Sequence, residues 1–193
     1  MFNAITELKS NNIKNLILDV RYNGGGYLAI ANQLTYMIAG PILTAGMNFE
    51  TMVFNDKHPN TNPVTGSPIM PIPFYTSTIG LSSLEENIGL PFLDLSTGDS
   101  GYPKVFVITG NDTCSASESI INSLMGLNVE VIQIGSVTCG KPYGFYPTDN
   151  CGTTYFTVQF KGINAKGYGD YSGGFKPRLS ASNMNTVSYT HLR

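Results

Sequence analysis

The chain has 193 residues, of which 41% are hydrophobic and only 12% charged, with a formal net charge of -2. That balance lacks the basic face of a nucleic-acid binder and speaks against long charged disordered tails. The length fits one domain with a real core, and 21 glycines and 11 prolines imply many turns.

No stretch reaches the roughly 18 apolar residues needed to span a bilayer. The opening MFNAITELKSNN is amphipathic and lacks the charged start and apolar middle of a signal peptide. As given, the chain is expected to stay in the cytosol, although it opens on what reads as an internal helix. Residues 2–11 suit a short helix with Ile5 and Leu8 inward. NLILDV, Asn15 to Val20, is a continuous apolar run of strand length, the pattern of a buried parallel strand. RYNGGG turns the chain. YLAIANQLTYMIAG then places Tyr27, Ile30, Ala31, Leu34, Met37 and Ile38 at helical spacing, and Gly40 and Pro41 stop it.

FETMVF, Phe49 to Phe54, alternates like a strand. Residues 55–74 are rich in Pro, Asn, Thr and Gly and read as a surface loop. In the region 75–102, SSLEENIGL allows a helical turn or two. KVFVITG (104–110) and VEVIQIG (129–135) read as buried strands, joined by NDTCSASESIINSLM (111–125), a turn running into a helix. YFTVQF (155–160) reads as a fourth, alternating strand. Repeated strand–turn–helix units predict an α/β domain with helices covering a sheet.

The serine cluster has two readings that coincide. Ser115-x-x-Glu118 is a capping box, with Ala116, Ile120, Leu124 and Met125 as the buried stripe behind it. A serine at a strand-to-helix turn is also exposed, beside free amides suited to an oxyanion. It becomes a nucleophile only if a base takes its proton. His58 lies in the Pro/Asn-rich loop and His191 near the end, so neither histidine serves. Lys141, in SVTCGKPYG after an apolar strand, has uncharged neighbours; it reads as a solvated surface charge, or as a base if burial favours the neutral amine.

Three blocks together resemble the C-terminal processing peptidases, or tail-specific proteases, which are serine peptidases with Ser–Lys catalysis. They are LILDVRYNGGG (16–26), TCSASES (113–119) and IGSVTCGKPYG (134–144), and YGDYSGGFKP (168–177) is similar to the family's closing segment. The resemblance implies a ClpP/crotonase-like α/β fold of stacked strand–helix units. It implies Ser115 as nucleophile and Lys141 as general base. The oxyanion hole would come from the amide of Ala116 and one from the glycine turn, Gly24 or Gly25. It further implies a peptide or protein substrate cleaved near its C-terminus, with apolar side chains preferred. No cofactor, metal or nucleic acid is expected. The parent protein is expected in the periplasm or cell envelope, with a PDZ-like domain upstream. Where some members carry an acid after the nucleophile, this chain has Gly126, with Asn128 and Glu130 nearby. A bare dyad is therefore expected. Residues 1–185 are read as the catalytic core and 186–193, TVSYTHLR, as a non-native tail.

Asp19 and Arg21 are expected to orient the glycine turn by an ion pair. The cysteines are Cys114, Cys139 and Cys151, an odd number with neither a disulfide framework nor metal-ligand spacing. Cys114 reads as a small buried residue, and a Cys139–Cys151 pair is open if the parent protein is exported. Tyr143, Phe145 and Tyr146 line a peptide groove or pack, and Asp170 and Tyr171 sit in a turn. Two other functions compete. Gly24-x-Gly26-x-x-Ala29 formally fits a dinucleotide fingerprint, but three residues separate it from the strand and no acid-ended strand follows. A non-catalytic peptide- or ligand-binding module on the same fold is the other.

Overall fold

The computed structural model describes residues 1–79, 87–98 and 100–177. In chain order the elements are α1 (Phe2–Ser10), β1 (Leu16–Asp19), α2 (Leu28–Thr44), β2 (Asn48–Val53) and β3 (Ile72–Pro73). Then come β4 (Lys104–Thr109), α3 (Ala116–Gly126), β5 (Glu130–Gly135), β6 (Tyr143–Gly144), β7 (Thr148–Asn150), β8 (Thr153–Tyr155) and β9 (Phe160–Ile163). The fold is mixed α/β, with parallel and antiparallel sheets.

Three strands form a parallel sheet in the order β1-β4-β5, with Leu18 opposite Val107 and Val107 opposite Gln133. Parallel strands deliver their carboxyl ends to one edge. The turns after β1, β4 and β5 therefore emerge side by side, and they carry the glycine, serine and lysine blocks. The central strand is the best buried: Val105 and Val107 are completely inaccessible. NLILDV, by contrast, is an edge strand, and Ile17 is 64% exposed. Its continuous apolar run satisfies one covered face, not two.

A second, antiparallel sheet has the order β3-β2-β9-β6, with Met52 opposite Gly162, and β7 and β8 form a separate hairpin. The core joins the layers. Met37 and Ile38 of α2, Ile121 and Leu124 of α3, Phe49 of β2 and the two β4 valines form one buried cluster.

The apolar stripe expected on α2 is displaced. Tyr27 and Ile30 are exposed, while Asn32, Gln33 and Thr35 are buried. The buried amides have partners that compensate their desolvation: Asn32 Nδ2 donates to Pro73 O at 2.9 Å and Asn32 Oδ1 accepts from Tyr75 N at 2.9 Å. Tertiary demand for a tether to the chain after β3 overrides periodicity. Gly40 breaks the helix at φ 76°, ψ 171°, and one further turn follows from Pro41, where proline suits a first helical position.

YFTVQF is not a strand. β8 ends at Tyr155, Phe156 and Val158 are exposed, and β9 starts only at Phe160. Gln159 sets this break: its amide donates to Gly144 O at 3.0 Å and its Oε1 accepts from Tyr146 N at 2.7 Å. Residues 87–90 at the end of SSLEENIGL are not helical; the rest of that segment, 82–86, and the whole TVSYTHLR tail lie outside the described residues. Among the described residues no helix is long and apolar enough to cross a membrane.

Candidate active site

The turn after β4 places Ser115 at the N-cap of α3 with φ 55° and ψ -119°. A positive φ is costly for a residue with a side chain and persists only where the surroundings enforce it. The enforcement comes from the glycine turn after β1. Asn23 O accepts from Cys114 N at 3.1 Å and from Ser117 Oγ at 3.1 Å. Thr113 Oγ1 donates to Val20 O at 2.7 Å. Gly25, at φ +115°, lies directly against the serine: a Cβ there would come within 2.7 Å of Ser115 Cβ and 3.2 Å of Ala116 N. Both the dihedral and the contact require glycine.

Glu118, fully buried one turn into α3, joins the serine and lysine blocks. Its Oε2 accepts from Ser115 N at 3.0 Å and from Lys141 N at 2.8 Å. Its Oε1 accepts from Gly140 N at 2.8 Å and from Thr138 Oγ1 at 2.5 Å. Sequence reasoning saw only the capping-box half of this residue. A disulfide between Cys114 and Cys139 adds a covalent link, Cα to Cα 5.2 Å, and Cys139 N donates to Thr113 O at 3.0 Å. The Cys139–Cys151 pair that the sequence left open is not formed: Cys139 bonds to Cys114, where a small buried residue was expected, and Cys151 is exposed and free. The two turns lie side by side, whereas Cys151 sits out at the β7–β8 hairpin. Cys114, Glu118 and Cys139 also lie within 4.8 Å of one another. The sulfurs are bonded together and the carboxylate oxygens are filled by donors, which leaves no ligand set for an ion.

Ser115 and Lys141 line the same open cavity of about 510 Å³, whose walls include Met52, Phe145, Tyr146 and Phe160. The lysine Nζ stands 4.9 Å from the Phe145 ring centroid. Tyr143 also lines this space, and Tyr146 is fixed by its hydroxyl to Asn62 Nδ2 at 3.0 Å. One residue absent from sequence reasoning shares the cavity: Glu50 of β2, 4% exposed. Burial pushes its carboxyl up to about 7, with the Ser119 side chain offsetting part of the shift. Its signal was weak, because in the alternating FETMVF it reads as one more solvated polar position.

Gly25 N–H donates to Asn23 Oδ1 at 3.0 Å, so it already has a partner inside its own turn. Ala116 N belongs to the first turn of α3, where amides lack intrahelical acceptors. Asp19 and Arg21 form the expected ion pair at 2.7 Å, and the arginine's hydrogen bonds hold the aspartate below the usual carboxylate range. Gly126 packs against Asn164, and Glu130 Oε2 accepts from Ser100 Oγ at 3.0 Å, away from the lysine. Asp170 pairs with Lys161, and Tyr171 is 2% exposed. His58 is half-buried in its loop and outside the cavity, and His191 lies outside the described residues.

The chain is similar to several solved structures. A Bacteroides fragilis NCTC 9343 protein assigned as an S41 protease superposes with TM-score 0.68 at 25% identity, covering 91% of this chain and 40% of that one. The photosystem II D1 C-terminal processing protease gives 0.57 at 18% identity, covering 92% and 37%. A Streptococcus agalactiae lipoprotein gives 0.55 at 16%, covering 92% and 56%. The last two likenesses concern the fold alone. The chain thus spans well under two thirds of these structures' own length. No curated protein sequence matches it. The model of peptidase family S41 matches residues 1–144, three quarters of the sequence and all three blocks: the chain belongs to peptidase family S41.

Proposed function

We propose that residues 1–185 are the catalytic core of a serine endopeptidase that cleaves polypeptides near their C-termini, with Ser115 as nucleophile and Lys141 as general base. The observation that carries this reading is the shared acceptor: one oxygen of Glu118 binds the backbone amides of both residues, and both side chains border one cavity. The neutral lysine amine takes the proton of Ser115 Oγ as that oxygen attacks the scissile carbonyl carbon. The oxyanion receives the amide of Ala116 and one from the Gly24–Gly25 turn; for Gly25 this exchanges its bond to Asn23 Oδ1 for one to substrate. The C–N bond then breaks, and the lysine ammonium gives its proton to the leaving amine. Water attacks the resulting serine ester, with Lys141 again taking the proton and returning it to Ser115. The Cys114–Cys139 disulfide favours an oxidising compartment, in line with a cell-envelope location.

The test uses a fluorophosphonate probe and a peptide substrate. Labelling should map to Ser115 and vanish in Ser115→Ala. Lys141→Ala should lower kcat by about 10²–10⁴-fold, and wild-type turnover should rise toward alkaline pH. Label on another residue, or undiminished turnover without Lys141, would refute the assignment.

A further inference from the structure

The cavity beside Ser115 has apolar and aromatic walls and one buried acid. Glu50 projects from β2 toward Ser119, one helical turn, about 5.4 Å along the axis, beyond Ser115 on α3. Ser119 N donates to Ser115 O at 2.9 Å, so the two serines share a face of the helix. Gly162, on the neighbouring strand β9, leaves the room that the carboxyl occupies, because a Cβ there would collide with it. Among the described residues no lysine, arginine or histidine forms an ion pair with Glu50. Near it stands the buried Tyr171, and the Ser119 side chain lies between the two. Lys141 Nζ stands over the Phe145 ring and forms no ion pair with this acid. A buried carboxylate without a cation is costly, yet this one opens onto a cavity lined by Met52, Ile72, Tyr146, Phe156 and Phe160.

Resting on the peptidase reading of Ser115, we propose that Glu50 is a specificity determinant: it forms the floor of the pocket for the substrate residue whose carbonyl is attacked, and selects lysine or arginine there. The aromatic and methionine walls suit the apolar stem of such a side chain, and the carboxylate pairs with its cationic head. This replaces the apolar preference that family resemblance implies. An arriving cation favours the ionised acid, so selectivity should strengthen from pH 6 to pH 8. Of the titratable groups around the acid, Tyr27, Lys141, Tyr143 and Tyr146 line the same cavity, and Tyr171 stands beside it, its phenol pushed upward by burial and by Glu50.

Two measurements test the proposal. The first compares kcat/KM for peptides differing only in lysine, arginine, norleucine or leucine at the attacked residue. Wild type should favour lysine or arginine over norleucine by at least about tenfold, and Glu50→Gln should reverse the order. Wild-type preference for norleucine, or an equal fall in kcat for all four peptides in Glu50→Gln, would overturn it; the latter would instead mark an acid acting on Lys141. The second needs no turnover. Benzamidine should bind wild type by calorimetry, and binding should be lost in Glu50→Gln, whose folding is checked by its thermal melt. Absent or unchanged benzamidine binding overturns the proposal whatever Ser115 does. Failure of the fluorophosphonate to label Ser115, with benzamidine bound through Glu50, would instead sink the peptidase reading and leave a cation-binding pocket.

Discussion

Glu118 shows how one side chain can tie two turns together. The motif that carries it was legible, since Ser-x-x-Glu reads as a helix cap. Its second task was not, because accepting from Thr138, Gly140 and Lys141 depends on a turn that folding brings from elsewhere. Replacing it with glutamine turns an acceptor into a donor facing other donors. Glu118→Gln should lose about 2–5 kcal/mol of stability in chemical denaturation, and should lower kcat more than it raises KM. A stable variant with full kcat would show that the carboxylate does not position the dyad. Glu50 is the complementary case. Its carboxyl titrates near 7 in the fold against 4.5 for an unperturbed glutamate. The folded state therefore binds the extra proton between those values, and stability falls as pH rises through that window. Without ligand, Glu50→Gln should gain up to about 3 kcal/mol over wild type at pH 8 and little at pH 4; equal gains at both pH values would contradict the burial argument.

At the level of elements, the parallel half of the fold was readable, whereas of the antiparallel half only β2, within FETMVF, was. β4 and β5 announce themselves as apolar runs followed by turn residues. The convergence of three blocks also had a sequence signal: parallel strands joined by crossovers must present their following turns at one edge. The second sheet pairs β2 with β9, strands far apart in sequence and four to six residues long, so local periodicity carries little of their pairing. YFTVQF misled for that reason, its alternation being unmatched by a covered face. The glycine turn after β1 offers a sharp test. Gly25→Ala adds a methyl group at φ +115° against Ser115 Cβ. Labelling of Ser115 should fall by more than about 100-fold while circular dichroism stays native. Wild-type labelling would show that the turn can retreat from the serine.

For the molecule as a whole, the feature with the widest reach is the Cys114–Cys139 bridge, which sequence spacing did not reveal because its partners meet only after β4 and β5 align. It closes a segment of 25 residues, a constraint worth about 3 kcal/mol through the unfolded chain. Dithiothreitol should therefore lower the melting temperature by roughly 6–12 °C, and Cys151→Ser should leave that shift intact. An unchanged melt would mean the bridge is not formed in solution. Because the tether joins the loop that carries Ser115 to the loop that carries Lys141, the proposed peptidase activity would depend on redox surroundings. A newly made chain in a thiol-rich interior would be held at low output, and would reach full strength only after crossing to a place where sulfurs can join. Location itself would then act as the licence to cut.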